Sequence, residues 1–261
     1  MIFKNFDSLT VLESELFLNY DIKHLFTTIK DETKDNRVDY SFKNNNKTDI
    51  LKNYEKIAEF FKVPVSNIVK STQIHEDNIL KITSYHHGMG IVKETEITNA
   101  DGIYTNTKST PLCIFSADCV PILFADKSKK VVFGVHSGWR GTAKNIAGKA
   151  IDIMTGKFGI KKDDIICAIG PAISQCCFEV SEDVILKLSD VYKKDDCYYK
   201  KDNGKYQLDL KKFNKRLLEE KGILKQNIDV CPLCTKCEED LFHSYRREGE
   251  YAGRNAAFIM L

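Results

Sequence analysis

Three side chains able to hold a metal stand at the ends of β-like runs. His75 closes "NIVKSTQIH", Cys119 follows "PLCIFSAD", and His136 closes "VVFGVH". Strand ends meet in a folded sheet, and two imidazoles with one thiolate suit Zn²⁺ while leaving a fourth position open. Taken singly, each residue has a plainer reading as a packed cysteine or a satisfied histidine. The corner after His136 carries more information. In "FGVHSGWRGT", Gly138 and Gly141 allow a tight turn, and Thr142 is placed to cap a helix. Free N–H groups at a helix start, with the fixed charge of Arg140, would make an anion site for phosphate or carboxylate. The plain alternative is an ordinary strand–helix turn with a surface arginine.

Other groups are less defined. "CPLCTKC" spaces Cys231, Cys234 and Cys237 three apart, but no fourth local cysteine or second CxxC completes a zinc ribbon. The run could bind metal, but a structural or adventitious role is the plainer reading. Cys176 and Cys177 are adjacent, a poor arrangement for a disulfide, and read as thiols. His243, Tyr245, Arg246, Arg247 and Arg254 cluster near the end, either as a solvated basic face or as a surface that recognises an anionic substrate. Asp118 precedes Cys119. On a regular strand its carboxylate would face away from its neighbour; a bend at Pro121 would bring it into a pocket as an acid–base group. The structural alternative is a buried carboxylate that collects N–H groups at a turn. His24, His86 and His87 are expected to lie outside any metal site.

These residues need a scaffold. "SLTVLES" and "YDIKHLFTTI" read as early strands, followed by a polar stretch over residues 30–49. Ile50, Leu51, Tyr54, Ile57, Ala58 and Phe61 recur at helical spacing, with Thr48 or Asp49 as cap. Short β-like runs continue to "VVFGVHSG". A helix is expected over 142–158, then the strand "IICAIGPA", a helix capped by Ser181, a hairpin around Asn203–Gly204, a helix ending at Gly222, and the buried strand "AAFIML". This order predicts a mixed α/β fold in one domain over residues 1–261. A formal net charge of +2 gives no reason to expect nucleic acid or a membrane surface as partner. No apolar run approaches the roughly 18 residues of a membrane span. The opening residues lack a secretory pattern, and nine cysteines, an odd count, suit reduced thiols. A cytoplasmic protein is expected.

Six segments, in order, resemble the YfiH-like purine nucleoside phosphorylase family, also called the multicopper polyphenol oxidase or laccase-domain family. They are "TQIH", "ADGIYTN", "FSADCVPILFAD", "VVFGVHSGWRGTAKNI", "IGPAISQCCFEV" and "CTKCEEDLFHSYRREGEYAGRNAAFI". The resemblance implies that His75, Cys119 and His136 bind the metal, zinc first and copper as the alternative. It also turns Arg140 toward substrate. With the residue reading above, Arg140, Gly141, Thr142 and Arg254 are the candidates for substrate or phosphate binding, and Asp118 for acid–base work. The implied fold is a β-sandwich-like core with flanking helices, similar to the catalytic domain of cytotoxic necrotizing factor. The implied activity is phosphorolysis of adenosine, inosine and methylthioadenosine with inorganic phosphate, together with adenosine deamination. The favoured species is a monomer acting on small molecules.

The chain departs from the family pattern. "LFTTIKDE" stands where the family has "FSTRxGG", so Thr28 or Ile29 falls near the usual arginine. "DYSFKNNN" replaces "YxSLN", with Asn44 as its asparagine or Lys43 in its place. Ser137 replaces an alanine and "QIHE" the common "QVHG". These changes bear on substrate choice. Two rival activities are a copper-dependent phenol oxidase, for which six histidines are few, and a hydrolase of cell-wall precursors with Cys119 as nucleophile. A third rival is a non-catalytic partner protein.

Overall fold

The computed structural model describes residues 1–33, 37–43 and 45–261. The chain opens with strands β1 (Ile2–Phe6) and β2 (Leu9–Glu13), the short helix α1 (Glu15–Leu18) and the long strand β3 (Lys23–Asp31). Helix α2 (Lys47–Phe61) follows, then β4 (Val69–Lys70), β5 (Ile79–Ile82), β6 (Gly102–Thr105), β7 (Leu112–Ser116), β8 (Val120–Asp126) and β9 (Val132–Ser137). Next come α3 (Trp139–Ala143), α4 (Ile146–Phe158), β10 (Ile165–Ile169), β11 (Glu179–Val180) and α5 (Glu182–Ser189). The chain continues through β12 (Tyr198–Lys200), β13 (Tyr206–Leu208), α6 (Leu210–Glu220), β14 (Ile228–Val230), α7 (Tyr245–Glu248) and β15 (Asn255–Met260).

Two six-stranded sheets make the centre, ordered β1-β2-β3-β15-β7-β4 and β14-β10-β8-β9-β6-β5, with β11-β13-β12 as a small third sheet. Alternation along the strands sorts their side chains into layers. Leu12, Phe26, Ile114, Ala257 and Ile259 of the first sheet meet Ile103, Leu123, Val132, Ile166 and Ala168 of the second. The outer face of the first sheet, with Leu25, Cys113 and Phe258, packs on Tyr54, Ile57 and Phe61 of α2. The outer face of the second, with Ile122, Phe124 and Val135, packs on α4, α5 and α6. The result is a mixed α/β fold, a two-sheet core flanked by helices. Gly134 lets β9 approach the opposite sheet: a Cβ there would lie 2.7 Å from Ile114 Cγ1. No described helix is long and apolar enough to cross a membrane.

Most expected elements are present, and several boundaries move. Asn46, not Thr48 or Asp49, caps α2, its side chain accepting the Thr48 N–H. The run "NIVKSTQIH" is a strand only at Val69–Lys70. Beyond it the chain bends, with Thr72 exchanging backbone hydrogen bonds with Ile97 and Ala100. The helix expected over 142–158 is two helices. Asn145, at φ 55°, breaks the path and caps α4 by accepting the Gly148 N–H. Thr142 is therefore inside α3, whose N-cap is Gly138. The turn expected at Pro121 lies earlier. Pro121 is within β8, and the chain reverses at Asp118, which sits at φ 84°. The candidate Asn44 lies outside the described residues.

Candidate active site and metal centre

Antiparallel pairing of β8 with β9 sets Pro121 opposite His136 and Val120 opposite Ser137. Cys119, just before β8, therefore arrives at the same sheet end as His136. His75 comes from the bend beyond β4 in the other sheet. The possible ligand atoms of His75, Cys119 and His136 all lie within 4.8 Å of one another. The two imidazoles meet edge to face, with centroids 4.9 Å apart. Gly138 gives the backbone room beside them, since a Cβ would stand 3.0 Å from Cys119 Sγ and 3.1 Å from His75 Cδ2. Two histidines and a cysteine at this spacing fit a metal ion that accepts nitrogen and sulfur donors.

Asp101, just before β6, organises the set, and the sequence reading does not single it out. Its backbone carbonyl accepts the His136 N–H at 2.7 Å, and its Oδ1 receives His136 Nδ1–H at 2.8 Å. The same carboxylate accepts the backbone N–H groups of Ile74, His75 and Glu76 at 2.9–3.0 Å. One buried acid thus fixes one imidazole directly and the bend that carries the other. His75 sits in that bend at φ 64°, a conformation few non-glycine residues adopt. Burial pushes Asp101 up, but His136 and the N–H groups of Glu76 and Ile74 hold its carboxyl below the usual range. Burial also disfavours the charged forms of Cys119 and His136. Their mutual attraction overcomes it, drawing the thiol down to about 6 and, with Asp101, the imidazole up to about 9.

The three residues line a cavity of about 490 Å³. Phe115, Trp139, Phe178 and Tyr245 give it aromatic walls, and Arg140, Arg246 and Arg254 also line it. Arg140 lies over the Trp139 ring at 4.3 Å. Arg246 donates to the Glu179 carbonyl, and Arg254 to the carbonyls of Ala252 and Gly253. Among the described residues, none of these three guanidiniums pairs with a carboxylate. Gln73 borders the cavity and bonds both ways with the Phe115 backbone, at 2.7 and 3.0 Å.

The remaining expected site residues divide clearly. Gly141 and Thr142 do not line the cavity. A Cβ on Gly141 would stand 3.1 Å from the Glu76 carbonyl, so its smallness seats α3 against the His75 bend. The Thr142 hydroxyl is fully buried and engaged with the Gly138 carbonyl, Ser137 and Asn214. Asp118 borders the cavity, with Oδ1 accepting from Thr235 and Oδ2 from Ser244 and the Arg246 N–H. Of the basic cluster, Arg247 is turned away toward the carbonyls of Thr235, Lys236 and Phe242. His243 is buried against Val38. His24, His86 and His87 belong to separate hydrogen-bond sets.

The "CPLCTKC" run has a partner that spacing alone did not reveal. The fold brings Cys234 and Cys237 to Cys176 and Cys177, while Cys231 is buried outside this group.

Fold and site together define a mixed α/β protein with a His/Cys/His cluster in an arginine-lined cavity where strand ends of the two sheets meet. The family model described as multi-copper polyphenol oxidoreductase laccase matches residues 32–261, and the chain belongs to this family. It is 35% identical over 213 residues to the purine nucleoside phosphorylase YlmD of Bacillus subtilis, covering 81% of this chain and 77% of that protein. A purine nucleoside phosphorylase of Clostridium acetobutylicum is 32% identical over 255 residues, 91% of this chain and 96% of its own length. The crystal structure of YlmD from Geobacillus stearothermophilus superposes with a TM-score of 0.92 at 31% identity, covering 99% of this chain and 98% of that one.

Proposed function

We propose that this chain is a zinc-dependent purine nucleoside phosphorylase that uses inorganic phosphate to split adenosine, inosine and methylthioadenosine, and that it also deaminates adenosine. The observation that carries this reading is one cavity that joins His75, Cys119 and His136, aromatic walls, and three arginines with no carboxylate partner among the described residues. The purine nucleoside phosphorylases among its relatives support the same reaction. A monomer is the favoured species, and the odd count of nine cysteines supports a reducing, cytoplasmic compartment.

Phosphorolysis breaks the C1′–N9 bond, forms a C1′–O bond to phosphate, and leaves the purine to take up one proton. Phe115, Phe178 and Tyr245 offer flat apolar surface to the base. Arg140, Arg246 and Arg254 hold the phosphate against a positively charged sugar in the transition state. His75, Cys119 and His136 would hold the zinc, which when bound would supply Lewis-acid stabilisation of developing negative charge. Asp118 has donors on both oxygens, which supports a positioning role on the Arg246 segment more than proton transfer. Gly141 and Thr142 support the anion site indirectly, by fixing the helix that carries Arg140.

The copper oxidase reading takes its support from the family description, but His24, His86, His87 and His243 are all engaged elsewhere. A Cys119 hydrolase takes support from the lowered thiol beside His136. One experiment separates the phosphorylase from the copper oxidase. Metal-quantified protein is incubated with a nucleoside panel with and without phosphate, and with a phenol after copper loading. Release of free base that requires both zinc and phosphate is expected. Base release independent of phosphate, or phenol oxidation alone, overturns the proposal. In the same assay Arg140→Ala should raise the phosphate KM about tenfold or more and spare deamination.

A further inference from the structure

We propose that Cys176, Cys177, Cys234 and Cys237 form a second metal site, a structural zinc centre of four thiolates that shares no ligand with the cavity. Their sulfur atoms all lie within 4.8 Å of one another. Cys237 Sγ is 3.6 Å from Cys176 Sγ and 3.4 Å from Cys177 Sγ. Four sulfurs at about 2.3 Å from a tetrahedral zinc would be spaced roughly 3.8 Å apart. The donors come as Cys234-x-x-Cys237, a chelating pair, and as two adjacent cysteines at a turn in which Cys177 N–H bonds to the Ser174 carbonyl.

The two loops are fixed to each other by contacts independent of the sulfurs. Ala172 and Cys234 form a β-bridge, and the Thr235 N–H donates to the Ala172 carbonyl. The ammonium of Lys211, itself buried, donates to the carbonyls of Cys231 and Leu233 at 2.8 Å and shapes the loop from within. The Ser174 N–H points at Cys234 Sγ at 3.3 Å, the outer hydrogen bonding that orients a ligating sulfur. A closed set of four cysteines has no open position for substrate, so its role is structural. It clamps two parts of the cavity wall. Phe178, next to Cys177, lines the cavity, and Thr235, between Cys234 and Cys237, donates to Asp118.

The test uses the full chain purified under reducing conditions. Metal content is measured for the wild type, for His75→Ala/His136→Ala, and for Cys176→Ser/Cys237→Ser. Cys176 and Cys237 are exposed, so the serine variant leaves the core intact. The wild type should hold about two zinc ions per chain and each double variant about one. Loading the histidine double variant with Co²⁺ should give the intense sulfur-to-metal absorption of four thiolates. Iodoacetamide should spare Cys176 and Cys237 until a strong chelator is added. A metal-free histidine double variant, rapid alkylation without chelator, or unchanged metal content in the serine variant overturns the proposal. Because the histidine variant removes the cavity cluster, failure of the cavity reading leaves this outcome readable.

Discussion

Asp101 spends one carboxylate on four N–H donors, and that economy makes it the most exposed point of the candidate metal centre. Asp101→Asn preserves its shape but replaces acceptors by an amide and removes the charge beside His136. Loss of such outer support costs roughly 10- to 100-fold in metal affinity, and chelator competition should show a drop of that size with the thermal transition as control. Unchanged affinity would leave Asp101 as a fastener of the His75 bend only. His24 gives a separate prediction, for stability. Its Nδ1–H donates to the Ile22 carbonyl while Nε2 accepts the Ser14 N–H, so only the neutral ring satisfies both. Burial holds it down at about 4. The unfolded chain, with an ordinary value near 6.5, takes up the proton first as pH falls. The stabilisation is thus complete above about pH 6.5 and lost as pH falls through 4, a change of about 3 kcal/mol. Urea unfolding at pH 7 and 4.5 should show the slope in the wild type and its loss in His24→Gln. At this scale His75, Cys119 and His136 were legible because residue types and motif context mark them. Asp101 was not, because its partners lie far away in sequence and a single aspartate before a strand carries no periodic signal.

Between β9 and α4 the chain makes two moves where the sequence reads as one helix. Apolar spacing continues across the junction, and nothing in it signals that Asn145 turns left-handed. The consequence falls on Thr142. A helix start there would aim its N–H groups at an anion; inside α3 its hydroxyl instead joins Ser137 and Asn214 and ties α3 to α6. Thr142→Val keeps the volume and removes the hydroxyl, leaving Asn214 short of a partner. A buried polar group left unsatisfied costs roughly 1–3 kcal/mol, so thermal unfolding should move down while the phosphate KM stays near that of the wild type. A large KM rise at unchanged stability would restore Thr142 to the anion site. Other elements were easier to read. Gly204 at φ 79° and Gly222 at φ 90° occupy positions that glycine takes without strain, so the hairpin and the end of α6 stand where turn chemistry put them. The strand expected up to His75 stops at Lys70 because the chain leaves the sheet edge there, although β-branched Thr72 and Ile74 continue the pattern.

Over the whole molecule, the cavity lies where the chain passes from one sheet to the other, between β7 and β8. Alternating short strands announce a layered α/β fold, but not which strand ends meet, so the convergence of residues 73, 75, 115–119, 136, 139–140, 173, 178, 210, 245–246 and 254 was legible only in part. Asp118 is the knot of that convergence. It sits at φ 84°, a conformation that costs a non-glycine residue of order 1–3 kcal/mol and persists only where its surroundings hold it. The hold is visible: Thr235, Ser244 and the Arg246 N–H join the carboxylate to the segment that brings Tyr245 and Arg246 to the cavity. Asp118→Asn keeps the turn but loses one acceptor and the charge. If Asp118 positions that segment, KM for nucleoside and phosphate should rise several-fold, kcat should fall less, and the pH profile of kcat should keep its shape. Arg246→Ala should then reproduce much of the KM change, and the double variant should add little to either single one, because both act through the same wall. If Asp118 instead moves a proton, kcat should collapse with KM little changed, and one limb of its pH profile should vanish. Both carboxylate oxygens already accept hydrogen bonds from the fold, so the first outcome is the one expected.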